Sequence, residues 1–401
     1  MFRYKLLMGV VITALLVSCG GSGGGSSPSV TQSSPPSTNV TSVVLDSGPA
    51  GTTGIVNVPY VTVTVCRPGT SVCQTIDHIL LDTASTGLRI IVPGVFNGSL
   101  ALPAVTDGSN NPVSECAVFA SGFTYGSVHR ADIKISGETA LNVPIEEIGD
   151  TNAPFNTIPP DCSSSGADQG TVAAFGANGV LGVGLFAQDC GSACVNTVIP
   201  ATYYGCTTSC SGIKLPLASQ VTNPVTAFTT DNNGVALVLP TVPNTGMTTL
   251  AGSLIFGIGT QSNNGLGTST IYAADSSGYF DTTYKGTLMA SSFLDSGSNG
   301  LFFNDGTITL CTVSTGFYCP ATPATLSATN ASYLGGSPGT IHFTIVNLDA
   351  LSGAVIAAPI GGQASGISGF DWGLPFFFGR TVFVALEGTS TPGGVGPFWA
   401  Y

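Results

Sequence analysis

The chain has 401 residues, 43% hydrophobic and only 7% charged, and its 21 acidic against 9 basic residues give a formal net charge of −12. Such a length can fill two domains, each with a core, and the supply of aliphatic and aromatic residues excludes a disordered chain. The acidic balance would repel a phosphate backbone, which excludes nucleic acid as a partner class, and charge this sparse is unusual for a cytosolic protein.

The chain opens with a short basic segment, Arg3 and Lys5, and an apolar stretch from Leu6 to Val17. That stretch has the length of a signal-peptide core and is too short to cross a bilayer as a helix. It ends in Leu16-Val17-Ser18-Cys19 and continues Gly20-Gly21-Ser22-Gly23, which resembles the bacterial lipobox, where the cysteine is acylated and becomes the mature N-terminus. The resemblance implies an exported bacterial lipoprotein with residues 1–19 as signal and lipidation at Cys19. Gly20 rather than Asp after the cysteine implies the outer membrane, at its periplasmic face or the cell surface, with the lipid as the sole membrane contact. The competing reading is an ordinary cleaved signal with an incidental cysteine. Residues 20–40, rich in Gly, Ser, Pro and Thr, read as a flexible tether.

Beyond the tether the pattern is one of short β-rich runs. Val58–Cys66 alternates apolar and small polar residues as a half-buried strand does, and Ile79–Leu81, Ile133–Ile135, Val235–Leu239, Ser253–Phe256, Thr340–Ile345 and Thr381–Ala385 read likewise. Asn-Gly steps at 97–98, 178–179, 233–234, 264–265 and 299–300 suit hairpins and tight turns. No long amphipathic period appears, so the predicted class is all-β. Setting Cys19 aside leaves an even set of cysteines, which in an exported chain reads as disulfides. Close spacing suggests Cys66–Cys73 and Cys311–Cys319, with Cys116–Cys162 as a third pair. Cys190, Cys194, Cys206 and Cys210 form two more bridges of unreadable connectivity, or a zinc site as the competing reading.

One motif occurs twice. Leu81-Asp82-Thr83-Ala84-Ser85-Thr86-Gly87-Leu88 matches Leu294-Asp295-Ser296-Gly297-Ser298-Asn299-Gly300-Leu301, a repeat that implies duplication and an approximate two-fold axis. The paired motif resembles the pepsin-like aspartic peptidases, in which each lobe offers one such loop to the floor of a cleft. Tyr125-Gly126-Ser127 sits where that family has its flap, and Asn178 to Gly184 matches the segment cradling the first loop. Gly252 to Gly257 and Trp372 to Phe377 resemble the lobe junction and the closing segment, so the resemblance covers residues 55–390. It implies a two-lobed pepsin-like fold with a cleft between an N-terminal lobe (41–265, with an insertion around 190–246) and a C-terminal lobe (266–401).

The resemblance further implies that Asp82 and Asp295 form the catalytic dyad. Two carboxyls held close cannot both ionise easily and so share a proton; one takes a proton from water while the other donates to the substrate carbonyl. Thr83 and Ser296 would lock the loops across the axis, and Ser85 and Ser298 would orient the outer carboxylate oxygens. Small residues at Ala84 and Gly297 would let backbone N–H groups approach, and Tyr125 with Gly126 would close over an extended polypeptide. Two positions depart from the family. Ala84 replaces a near-invariant Gly, resists positive φ and adds a methyl group to the cleft floor. Arg89 stands where relatives carry a Trp, and could stack on Tyr125 instead.

The three histidines show no metal-ligand spacing, so no metal and no cofactor are expected. The aromatic run Phe370 to Phe378 reads as core. The expected function is a lipid-anchored aspartic endopeptidase, monomeric, acting on extended polypeptides. The alternatives are a catalytically silent protein of the same fold that binds a peptide, protein or glycan in its cleft, and a passive envelope component.

Overall fold

The computed structural model describes residues 38–96, 100–333, 335–366 and 368–401. The signal segment 1–19 with Cys19, the tether up to residue 37 and the Asn97-Gly98 step lie outside the described residues.

Period-two patterning becomes sheet throughout. In Tyr60–Cys66 the alternation sends Val61, Val63 and Val65 into the core while Thr62 faces solvent. The run Val58–Cys66 becomes a strand only from Tyr60, and the other runs lie within Cys73–Asp82, Gly122–Ile135, Gly234–Leu239, Leu250–Phe256, Gly339–Ile345 and Arg380–Ala385. Among the described residues the α-helices are single turns at Pro160–Ser163, Val172–Phe175 and Ser192–Asn196. The protein is all-β.

Two sheets carry nearly all the strands, one 15-stranded and one 7-stranded. In the larger, Val40–Leu45 pairs with Leu250–Phe256, which pairs with Gly234–Leu239, which in turn pairs with Arg380–Ala385 near the C-terminus. Gly234–Leu239, inside the stretch read as an insertion, is therefore a member of this shared sheet. Only Tyr203–Cys206 and Cys210–Gly212 build outward, extending the edge of Val113–Phe119.

The duplicated motif folds twice in the same way. Cys73–Asp82 runs parallel to Gly179–Val183, with Asp82 opposite Gly182, and Thr86–Ile91 returns antiparallel to that strand. In the second copy Thr287–Asp295 runs parallel to Asp371–Gly373, with Asp295 opposite Gly373, and Leu301–Phe302 returns antiparallel. Phe370 and Trp372 stack at 3.9 Å in the core behind the second copy, as Phe376 and Phe377 are also buried.

The disulfides are Cys66–Cys73, Cys116–Cys162, Cys190–Cys194, Cys206–Cys210 and Cys311–Cys319. The connectivity left open is thus two local bridges, which also removes the four-cysteine zinc reading. Two of the Asn-Gly steps differ from expectation. Gly179 and Gly234 open strands with φ of 158° and 147°, each so close to the neighbouring strand that a Cβ would lie 2.3 Å from a backbone oxygen. They mark close strand approach rather than hairpin tips.

Candidate active site

Each aspartate stands at the end of its strand because a glycine passes beneath the following loop. A Cβ on Gly182 would meet Thr86 N at 2.5 Å, and one on Gly373 would meet Gly300 O at 2.0 Å. Only glycine lets these backbones approach so closely.

The two loops then clasp each other. Thr83 donates its hydroxyl to Leu294 O (3.0 Å) and accepts from Ser296 N (3.0 Å). Ser296 donates its hydroxyl to Leu81 O (2.7 Å) and accepts from Thr83 N (3.1 Å). Thr83 and Ser296 are fully buried, so the four bonds exchange no solvent.

That clasp brings the Asp82 and Asp295 carboxyls into hydrogen-bond contact. A Cβ on Gly297 would lie 2.9 Å from Asp82 Cγ and 3.1 Å from Asp295 Oδ1, so glycine is obligatory there. Asp82 Oδ1 accepts from Ala84 N (2.8 Å), and Asp295 Oδ1 accepts from Gly297 N (2.8 Å) and Ser298 N (3.1 Å). Ser298 donates its hydroxyl to Asp295 Oδ2 at 2.7 Å. Burial, then the charge of Asp82, then that of Asp371 push the Asp295 carboxyl well above the usual range, which favours its protonated form.

The pair opens into a cavity of about 860 Å³, lined by residues of both halves of the chain, among them Phe186, Tyr279, Phe293, Phe302 and Gln363. Its roof is the hairpin of Val113–Phe119 and Gly122–Ile135, whose Cys116 to Ala120 face the cavity. Gly122 lies so close to the segment beside it that a Cβ would meet Ala167 O at 2.0 Å, and Cys116–Cys162 ties the hairpin to the turn at Pro160–Ser163.

Several expected details differ. Tyr125 is buried on the far side of this hairpin and does not line the cavity. Its ring packs on Tyr204, and its hydroxyl meets Ser114 Oγ (3.0 Å) and Cys210 Sγ (3.2 Å). The strand pair Tyr203–Cys206 and Cys210–Gly212 covers that face and draws the ring toward it. Gly126 serves strand packing, since a Cβ would meet Glu147 O at 1.9 Å. Ser85 Oγ is buried without a partner and does not support Asp82. Ala84 carries no positive φ and its side chain is exposed, so the methyl group causes neither strain nor crowding.

Arg89 lines the cavity but does not stack on Tyr125, because three acids claim its guanidinium. It donates to Glu115 through Nη2 (2.6 Å) and Nε (3.2 Å), and lies 3.3 Å from Glu146 and 3.5 Å from Asp189. Burial, then the charge of Glu115, push the Glu146 and Asp189 carboxyls well above the usual range. One cation cannot balance three acids, which favours the protonated forms of Glu146 and Asp189. Glu115 belongs to the roof and Arg89 to the floor, so the cluster pins one to the other.

Three features were not legible beforehand. The Arg89 partners are scattered along the chain. Asp371, hidden in an aromatic run, lines the cavity as a third acid beside the pair. His129, Glu147 and Asp150 bring ligand atoms within 4.8 Å of one another, although both ring nitrogens of His129 are engaged, by Leu102 O (2.9 Å) and Ser127 Oγ (3.1 Å).

The chain belongs to the family described as a protein of unknown function (DUF3443), whose profile matches residues 35–401. No curated protein matches it.

Proposed function

We propose that this DUF3443 protein is an exported, lipid-anchored aspartic endopeptidase with a two-lobed pepsin-like fold, hydrolysing peptide bonds through Asp82, Asp295 and a water. One observation carries the reading: the reciprocal clasp of Thr83 and Ser296, which sets two carboxyls in contact on the floor of a cavity fed by both motif copies. Asp82 takes a proton from the water as the water oxygen attacks the carbonyl carbon. Asp295 gives its proton to the carbonyl oxygen, forming a neutral gem-diol. Collapse of the diol, with proton transfer to the amide nitrogen, breaks the C–N bond. The cavity suits an extended polypeptide, which would add backbone hydrogen bonds along the roof hairpin.

The unpartnered Ser85 hydroxyl and the outward-turned Tyr125 favour a second reading, a cleft that binds peptide without turnover. Cleavage of a broad peptide library by the full chain at acidic to neutral pH, blocked by a statine-type mimic of the diol, separates the two. Asp82→Asn and Asp295→Asn should each lower the rate at least ~10²–10⁴-fold. Unchanged cleavage in both variants refutes the proposal, and tight statine-peptide binding with no hydrolysis establishes the second reading. The anchor is tested by Cys19→Ala, which should leave the membrane fraction; continued sedimentation with membranes would reject lipidation at that residue.

A further inference from the structure

The proposed hydrolysis uses two of the cavity's acids and has no use for Asp371. This residue pairs with Phe293 on one side and Phe302 on the other, one strand from Asp295. The corresponding position in the first copy is Val180, which holds the same strand place without a charge. The strand arrangement therefore does not call for an acid.

Asp371 lines the cavity, is only 5% exposed, and its Oδ1 has no hydrogen-bond partner. Its titratable neighbours are the acids Asp82 and Asp295, and the hydroxyl of Ser298, which reaches it, is donated to Asp295. Among the described residues lining the cavity the sole cation is Arg89, whose guanidinium is already held by Glu115, Glu146 and Asp189. Burial, then the charge of Asp82, push the Asp371 carboxyl up to about 8. An enclosed acid without a counter-charge is costly in the empty cleft, and a cation would relieve that cost. Phe293 and Phe302 line the same region and would cover an aliphatic stem leading to the charge.

We propose that Asp371 is a specificity-determining residue, forming a subsite for a cationic side chain, Lys or Arg, next to the scissile bond. The proposal rests on the peptide-cleft reading above. A bound ammonium also compensates the charge that an ionised Asp371 would otherwise impose on the neighbouring pair.

The test uses the full chain in detergent and two uncleavable statine peptides that differ only in Lys against norleucine beside the statine. Calorimetry at pH 8 should show the Lys peptide binding about tenfold or more tightly, as a hydrogen-bonded charge requires. At pH 5 the proton on Asp371 must be displaced before it can pair, so the preference should shrink. Asp371→Asn should make the two peptides equal. Equal affinity at pH 8 in the wild-type chain, a preference that does not change with pH, or a preference that survives Asp371→Asn overturns the proposal. Should Asp371→Asn fail to fold, the wild-type comparison and its pH dependence decide alone. Cleavage of matching amide peptides tests the hydrolytic reading independently. Lys preference without cleavage rejects hydrolysis alone, and cleavage without Lys preference rejects this subsite alone.

Discussion

Thr83→Val removes one hydroxyl from the clasp while keeping the side chain's shape. Its Oγ1 accepts from Ser296 N and donates to Leu294 O, both at 3.0 Å, in a region where Thr83, Leu294 and Ser296 are all 0% exposed. Valine fills the same space, so no cavity term enters. What remains is an orphaned buried N–H, costing about 1–3 kcal/mol, and a carbonyl short of one partner, at about 1 kcal/mol. The variant should therefore lose about 2–4 kcal/mol. For roughly 360 described residues at ~2.1 cal/mol/K each, that lowers Tm by about 3–5 °C. Ser296→Ala orphans Thr83 N and Leu81 O in the mirror arrangement and should cost the same. Because both hydroxyls hold one pair of loops, the double variant should cost less than the sum, with a coupling of at least about 1 kcal/mol. Ser85→Ala is the internal control: its hydroxyl has no partner, so its loss should change stability by less than about 0.5 kcal/mol. Thermal unfolding under oxidising conditions measures all four chains. A cost below about 0.5 kcal/mol for Thr83→Val, or strict additivity, would refute the clasp as the element that joins the loops.

Stability should also depend on pH in an unusual direction. Asp371 is pushed up to about 8 and Glu138 to about 6, both chiefly by burial, and Asp295, Glu146 and Asp189 are raised too. Such acids bind protons more tightly when folded, so their stabilisation is complete below the ordinary carboxylate range and is lost as pH climbs from about 4 toward 8. Below that range Asp305, held low because bonds from Lys285, Tyr284 and Thr307 outweigh its burial, begins to lose its own contribution. Tm should peak near pH 4–5, and a calorimetric Tm that climbs steadily to pH 8 would contradict the buried acids. The motif copies should differ in tolerance: Gly297→Ala should abolish statine-peptide binding by forcing Asp82 aside, whereas Ala84→Gly should shift stability by no more than about 1 kcal/mol. Equal behaviour in a binding titration would show that the loops are interchangeable. Replacing Cys116 and Cys162 by Ala opens a separation of 46 residues and should cost on the order of 4 kcal/mol, against about 2 for Cys190 and Cys194, separated by 4. A reversed order in thermal unfolding would argue against loop closure as the cause.

What could be read in advance were the features encoded by local pattern. Alternation located the strands, and the repeated Asp-[Thr/Ser]-[Ala/Gly]-Ser motif located both loops of the clasp, since each hydroxyl acts within one residue of its aspartate. Position within a hairpin was harder. The resemblance puts Tyr125 in the flap, but the tip of the hairpin falls at Ala120 and Ser121, where Gly122 packs against Ala167. That register depends on a partner segment no local pattern announces. The Arg89 cluster was hidden for a related reason: Glu115, Glu146 and Asp189 come from separate elements and meet only after the sheet has formed. Asp371 is not legible because Phe-Asp-Trp-Gly reads as core, and all four of its residues are indeed buried, the acid among them.

The way the roof is fastened bears on how anything gets in. A free two-stranded ribbon twists and bends readily. Here one edge is widened by Tyr203–Cys206, the other lies against residues 167–169, and Arg89 with Cys116–Cys162 hold it from below and beside. Such a plate tilts as a unit or stays put. On the proposed peptide-cleft reading, a roof so fastened favours entry lengthwise along the cleft over entry from above. On that same reading, loose ends and unfolded stretches would enter more readily than intact folded domains.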